Sequence, residues 1–110
     1  MQIISTPYTE INWDEVLITK HPGETGFAYQ RTFETGNIRL RLVEYSPGYQ
    51  AGHWCCRGHV IHLLDGEIMF EFKDGTLITL IKGMTCCFGD GQGIPHKSLT
   101  VKGAFLLIVD

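Results

Sequence analysis

The chain has 110 residues, of which 44% are hydrophobic, enough to bury the core of one domain. Its 9 Lys and Arg against 12 Asp and Glu give a formal net charge of −3, and the lack of basic clusters argues against nucleic-acid binding. No apolar run approaches the roughly 18 residues of a membrane span. Residues 1–6 also lack the features of a signal peptide. We therefore predict a cytoplasmic protein with no membrane partner.

In chain order, the predicted elements are short strands separated by glycine-containing turns. Residues 10–16 are predicted to form one helical turn at most. Further on, apolar and polar residues alternate with a period of two, as in residues 38–45 and 68–73. Asp74-Gly75 predicts a hairpin turn that leads into residues 77–81. The pattern is typical of an all-β chain folded as a sandwich or a barrel.

Two predicted strands, residues 60–64 and 105–109, are apolar on both faces. A strand of this kind needs cover on both sides. We expect the outer cover to come from the N-terminal segment or from a second subunit, and on this ground we predict a homodimer. Residues 1–26 are predicted to be an N-terminal extension that packs on the barrel of a single domain, residues 1–110.

The four cysteines form two vicinal pairs, Cys55-Cys56 and Cys86-Cys87. Neighbouring cysteines rarely bridge one another, because the ring would strain the intervening peptide. With no export signal found, we expect a reducing compartment and free thiols. The ordinary role of any one of them is that of a small buried apolar side chain. The alternation leaves open which member of Cys86-Cys87 faces inward.

The main chemical signal comes from imidazole and thiol groups in and after residues 48–66. His53 and Cys55 are two residues apart, so in a strand they point to the same face and can reach one ion. Arg57-Gly58 can turn the chain and place His59 on an adjacent strand. One more imidazole, that of His96, follows 37 residues after His59.

This stretch resembles the first motif of the cupin superfamily, Gly-x5-His-x-His-x3-Glu-x6-Gly. The chain reads Gly48-x4-His53-Trp54-Cys55-x3-His59-x6-Gly66. Cys55 therefore stands where the second His is usual, and His59 stands where Glu is usual. The second cupin motif, Gly-x5-Pro-x-Gly-x2-His, is looser here, since it opens at Gly83 and two extra residues precede His96.

Within the superfamily the chain is most similar to a small group named for a DHCW motif. His53-Trp54-Cys55 and the terminal Leu107-Ile108-Val109-Asp110 carry this likeness, which extends over roughly residues 11–110. Gly52 stands where the group commonly has Asp. The group brings no established reaction that could be transferred to this chain.

The resemblance implies an RmlC-like jelly-roll β-barrel with a divalent metal in its interior. Carried over position by position, the implied metal ligands are His53, Cys55, His59 and His96. Zinc is the first candidate, and iron, nickel or copper would also suit, whereas a soft thiolate argues against magnesium and calcium. Four bound side chains would close a tetrahedral site, while three would leave a position for water or substrate.

Three functions are compatible with these residues. The first is a metal-binding cupin enzyme that acts on a small-molecule ligand in the barrel. The second is a non-catalytic binding or sensing cupin whose metal is structural or absent. The third is a redox protein that uses Cys55 as a reactive thiolate. Because one fold hosts many activities, whether the protein is an enzyme stays open.

Several residues outside the ligand set have two possible placements. Arg39 and Arg41 share a strand face, from which they would bind a substrate carboxylate inside the barrel or form a polar exterior in solvent. The sequence slightly favours the exterior. By alternation, Trp54 and His62 are expected to point outward, and His21 is expected to lie in a surface loop.

Overall fold

The structure is a computed structural model, and it describes residues 1–91 and 94–110. Its regular structure in these ranges is β, apart from a single 3-10 turn at Trp13–Glu15 that is capped by the Asn12 side chain. The prediction of one helical turn at most in residues 10–16 is thus confirmed. Nowhere in the described ranges is there a helix with the length and apolarity needed to cross a bilayer. The strands are β1 (Ile18–Pro22), β2 (Phe27–Thr35), β3 (Ile38–Tyr45), β4 (His59–Phe72), β5 (Leu77–Ile81), β6 (Thr85–Phe88), β7 (His96–Leu99) and β8 (Ala104–Val109).

The strands pair antiparallel and form two sheets that share the long strand β4. In one sheet, β1, β2, β3 and β8 lie side by side, and β8 pairs with the first half of β4, which also pairs with β6. In the other sheet, the second half of β4 pairs with β5 and β7. The β4–β5 connection confirms the predicted hairpin. Two antiparallel sheets joined in this way form the jelly-roll barrel predicted from the sequence.

The passage of β4 from one sheet to the other depends on a bulge and a glycine. The pairing with β8 is irregular between Leu63 and Asp65, and Gly66 has a left-handed φ of 79°. A Cβ on Gly66 would overlap the carbonyl oxygen of Gly103. Only glycine satisfies both constraints, so Gly66 lets one continuous strand serve both sheets.

The core lies between the two sheets and is built from alternate strand residues. Ile61, Leu63, Ile68 and Phe70 of β4 are each at most 2% exposed. The inward residues are odd-numbered before the bulge and even-numbered after it, because the bulge shifts the alternation by one residue. The predicted alternation of residues 68–73 is therefore confirmed. The other buried apolar side chains are those of Ala28, Val43, Tyr45, Leu80, Ala104, Leu106 and Ile108.

The N-terminal 26 residues include an edge strand of the larger sheet. β1 pairs with β2 from Ile18 opposite Arg31 to Pro22 opposite Phe27. Farther toward the N-terminus, the Ile4 N–H donates to Asn37 Oδ1 at 2.8 Å. The segment before β1 thus contacts the turn between β2 and β3.

Candidate metal centre

Three of the four predicted metal ligands meet inside the barrel. One ligand atom each of Cys55, His59 and His96 lies within 4.8 Å of the other two. His59 and His96 are 9% and 2% exposed, and Cys55 is half-buried. The fold therefore brings together three of the four side chains that the motif implied as ligands.

A backbone bridge brings Cys55 against His96. The Cys55 N–H donates to the His96 carbonyl oxygen at 2.9 Å, and the His96 N–H donates to the Cys55 carbonyl oxygen at 3.0 Å. Residues directly opposite each other in an antiparallel pair project their side chains to the same face, so the thiol and the imidazole are neighbours. The interval before His96, where the spacing departs from the cupin motif, includes residues 92–93, which lie outside the described residues.

His59 begins β4, and the residue before it is held close to Asp90. The Gly58 N–H donates to Asp90 Oδ1 at 2.6 Å. A Cβ on Gly58 would lie 2.6 Å from the Asp90 nitrogen, so this close approach requires glycine. The turn that the sequence predicted at Arg57-Gly58 does not form, and His59 enters β4 opposite Phe88 of β6.

The two imidazoles have the spacing of ligands to one metal ion. Their Nε2 atoms are 3.2 Å apart. Bonds of about 2.0–2.1 Å in a tetrahedral zinc site place two nitrogen ligands about 3.3 Å apart. The His96 ring stacks on Phe88 with a centroid distance of 3.8 Å, and the His59 ring meets Phe88 edge-on at 5.5 Å. Aromatic packing therefore holds both rings in a geometry that fits a metal.

Both imidazoles are neutral at pH 7. Burial, reinforced by the neighbouring His96 ring and by the positive charge of Arg41, lowers the pKa of His59 to about 4. Burial also lowers the pKa of His96. The His96 Nδ1 lies 3.4 Å from the Ile94 carbonyl oxygen, which favours a proton on Nδ1 and a lone pair on Nε2. Neutral imidazole is the form that binds metals.

The remaining ring nitrogen of His59 faces the carboxylate of Asp110, to which the sequence motifs assign no role at the metal site. His59 Nδ1 is buried and has no hydrogen-bond partner within the described part of the chain. It lies 4.0 Å from Asp110 Oδ2. A histidine that binds a metal through Nε2 carries its proton on Nδ1 and commonly directs it to a carboxylate or carbonyl group. At 4.0 Å the two atoms are not hydrogen-bonded, and Asp110 is the carboxylate toward which such a proton would point.

Three arginines surround the Asp110 carboxylate, which is 4% exposed. Arg39 binds it with two hydrogen bonds, Nε to Oδ1 at 2.9 Å and Nη2 to Oδ2 at 2.7 Å. Arg41 Nη2 lies 3.3 Å and Arg57 Nη1 lies 3.9 Å from Oδ2. Burial alone would raise the pKa of Asp110, but the Arg39 hydrogen bond and the three positive charges lower it below its usual value. Asp110 is therefore ionised at neutral pH.

The expectation that Arg39 and Arg41 form a polar exterior is wrong. Their strand face is that of Val43 and Tyr45, which are buried in the core. Both guanidinium groups are tolerated on this face because Asp110 offsets their charge. Arg41 lines the interior cavity of the barrel.

That cavity has a volume of about 650 Å³ and includes all three clustered ligands in its wall. The fourth predicted ligand, His53, also lines it, but its side chain is exposed and is not a member of the close cluster. His21 lines the cavity as well. It lies in β1 rather than in a loop, where its ring contacts the Thr19 hydroxyl at 2.7 Å.

The outward placement of His62 and Trp54 is confirmed. His62 Nδ1 lies 2.7 Å from the Thr85 hydroxyl on the neighbouring strand β6. The Lys97 Nζ sits 4.7 Å from the centroid of the Trp54 ring. Neither residue lines the interior cavity.

All four cysteines are free, as expected, and Cys86 rather than Cys87 packs against the core.

Comparison with solved structures shows that the chain has the RmlC-like cupin fold. An RmlC-like cupin from Shewanella frigidimarina NCIMB 400 matches with a TM-score of 0.75 at 13% identity, over 96% of this chain and 92% of that one. A predicted oxalate decarboxylase from Thermotoga maritima matches with a TM-score of 0.73 at 14% identity, over 92% and 97% of the two chains. The polyketide cyclase RemF from Streptomyces resistomycificus matches with a TM-score of 0.74 at 17% identity, over 94% and 78%.

No family model and no curated protein matches the chain. The predicted cupin fold and its jelly-roll barrel are confirmed by the solved structures. The narrower similarity to the DHCW-motif group stays a prediction.

Proposed function

We propose that this protein binds one divalent transition metal inside its barrel and a small molecule in the adjoining cavity. The observation that carries the proposal is the close cluster of Cys55, His59 and His96. A thiolate and neutral imidazoles are ligands that zinc favours, and iron, nickel or copper would also accept them. Zinc is our first candidate.

Three protein ligands suit a site that also binds a small molecule. In a tetrahedral site they leave one position open, as in catalytic zinc centres. All three line the cavity, so a molecule bound there would lie beside the metal. When bound, the metal would supply Lewis-acid chemistry. The exposed position of His53 favours this three-ligand set over the four-ligand set.

The fold alone does not select a reaction for this protein. The similar structures include a predicted oxalate decarboxylase and a polyketide cyclase, so one architecture carries different chemistries. A non-catalytic binding or sensing protein with the same metal would share this geometry. Four free cysteines support a cytoplasmic location, because the cytosol keeps thiols reduced.

The metal content of protein purified without chelators tests the proposal. We expect about one metal ion per chain in the wild type by mass spectrometry, in line with the one ligand cluster found in residues 1–91 and 94–110. Cys55→Ser, His59→Ala and His96→Ala should each lose most of it. His53→Ala should keep it, since the other three ligand atoms converge without His53.

Two variants serve as matched controls. Cys56→Ser removes an exposed thiol adjacent to Cys55, and His62→Ala removes an outward imidazole on the same strand as His59. Both should keep wild-type metal content. Unchanged metal content in Cys55→Ser and His59→Ala would overturn the proposal. A metal-free wild type with a rapidly alkylated Cys55 would favour the redox function instead.

A further inference from the structure

We propose that the small molecule bound in the cavity is a carboxylic acid and that Arg41 binds its carboxylate. This inference rests on the proposed function for the location of the ligand beside the metal. Its own support comes from the charge balance around Asp110 and from the unused hydrogen-bond donors of Arg41.

The residues around Asp110 carry a surplus of positive charge. Arg39, Arg41 and Arg57 all lie within 4.0 Å of a single carboxylate. One carboxylate does not fully offset three guanidinium groups, and solvent screens Arg41 least, because its side chain is 17% exposed while that of Arg57 is 61% exposed. Two further acids, Glu34 and Asp90, line an outer pocket together with Arg39 and Arg57, and neither lies in the wall of the interior cavity. A partly buried surplus of this kind favours an anion.

Arg41 is the arginine of this cluster that lines the cavity. Its side chain is 17% exposed, and its one hydrogen bond to Asp110 is 3.3 Å long. Arg39 already occupies both oxygens of that carboxylate at shorter distances. The Arg41 Nε is buried and has no partner in residues 1–91 and 94–110. A guanidinium group with unused donors at a cavity wall is suited to a planar carboxylate.

The remainder of the wall can hold the body of a small acid. Gln30, Tyr45, Tyr49 and Ser98 offer neutral hydrogen-bonding groups, and Ile61 and Ile108 offer apolar surface. Among the described residues that line the cavity, Glu24 is the one with a carboxylate, and it is exposed. A divalent ion on one thiolate and two neutral imidazoles would add a further positive charge. Among the charged groups of the wall, Arg41 is the less exposed and Glu24 the more exposed, so the buried charge favours an anionic ligand.

Titration of malonate into the protein tests this inference, with the neutral diamide malonamide as the matched ligand. We expect saturable binding of malonate by isothermal titration calorimetry and no detectable binding of malonamide. Arg41→Gln should weaken malonate binding by about 10- to 100-fold, the usual effect of losing a charged hydrogen bond. Arg31→Gln is the control, because Arg31 is half-buried on β2 but does not line the cavity.

Metal content is measured in the same samples, which separates the two proposals. A metal-free wild type would overturn the proposed function. Three results with metal-containing protein would overturn this inference alone. They are no binding of malonate, equal binding of malonate and malonamide, and an unchanged affinity for malonate in Arg41→Gln. Tighter binding of inorganic phosphate than of malonate would overturn the assignment of a carboxylic acid and would indicate a phosphate ligand instead. Arg41→Lys keeps the charge but loses the planar guanidinium group, so it should bind malonate with intermediate affinity. If Arg41→Gln does not fold, Arg41→Lys takes its place in the titration.

Discussion

At the scale of single residues, Asp110 connects the candidate metal centre with the arginines of β3. Its carboxylate receives two hydrogen bonds from Arg39 and lies 4.0 Å from the buried Nδ1 of His59. It therefore offsets positive charge and can also orient an imidazole ligand. Both roles depend on a side chain that the pairing of β3 with β8 carries into the barrel.

We predict that Asp110→Asn weakens metal binding by about 10- to 100-fold, because His59 loses the carboxylate that fixes its tautomer. Competition with a chromogenic chelator measures the affinity. Asp65→Asn is the control, since its side chain is 74% exposed and makes one weak contact with Lys82. Equal affinities in wild type and Asp110→Asn would contradict an orienting role for Asp110.

The two cysteines of the second pair should differ in reactivity. Burial, reinforced by the neighbouring Cys87, raises the pKa of the Cys86 thiol to about 11. Because the thiolate is the reactive form, Cys86 should be almost fully protonated at pH 8 and react about tenfold or more slowly than the exposed Cys87. Its rate should rise as the pH approaches 11. Iodoacetamide labelling with peptide mapping measures both rates in one sample, and equal rates at pH 8 would contradict the prediction.

At the scale of elements, β4 organises the barrel and the site together. Its first residue is His59, its first half pairs with β6 and β8, and its second half pairs with β7, which begins at His96. The two imidazoles thus meet because one strand belongs to both sheets. The bend at Gly66 is what makes this possible.

We predict that Gly66→Ala destabilises the protein by about 2–4 kcal/mol, because a left-handed backbone and a steric overlap with Gly103 add together. Gly75→Ala separates the two effects. Gly75 has a φ of 88° but no atom within 4 Å of the added Cβ. Gly75→Ala should therefore lower the free energy of unfolding by only about 1–2 kcal/mol. Urea unfolding measures both, and equal losses would show that the overlap at Gly66 is relieved without cost.

At the scale of the whole molecule, the outer face of the larger sheet is apolar and only half-covered. Leu40, Val109 and Val60 lie opposite one another across β3, β8 and β4, and Leu42 and Leu107 form a parallel row. All five are half-buried. A second copy of the chain would remove this surface from water, which supports the proposed homodimer.

We expect light scattering at micromolar concentration to give the mass of a dimer. Leu107→Lys should shift the protein toward monomer, because it places a charge in the middle of the proposed interface. Leu77→Lys, at a residue of β5 that is 55% exposed, should leave the mass unchanged. A monodisperse monomer in the wild type would contradict the prediction.

Much of this architecture was predictable because it depends on local spacing. Period-two alternation, the Asp74-Gly75 turn and the interval from His53 to Gly66 each span only a short stretch of the sequence. They predicted the strands, and the resemblance to the cupin motif implied the fold and four metal ligands, of which three converge. The outward direction of His62 and Trp54 followed from the same alternation.

The position of Arg41 in the cavity wall, the ion pair between Arg39 and Asp110, and the separation of His53 from the ligand cluster could not be predicted in this way. Arg39 and Asp110 are 71 residues apart and meet only through the pairing of β3 with β8. Alternation shows that Arg41 shares a face with Val43, but not that the second sheet closes over that face. Long-range register and the packing of one sheet on the other decide these points, and no local pattern carries that information.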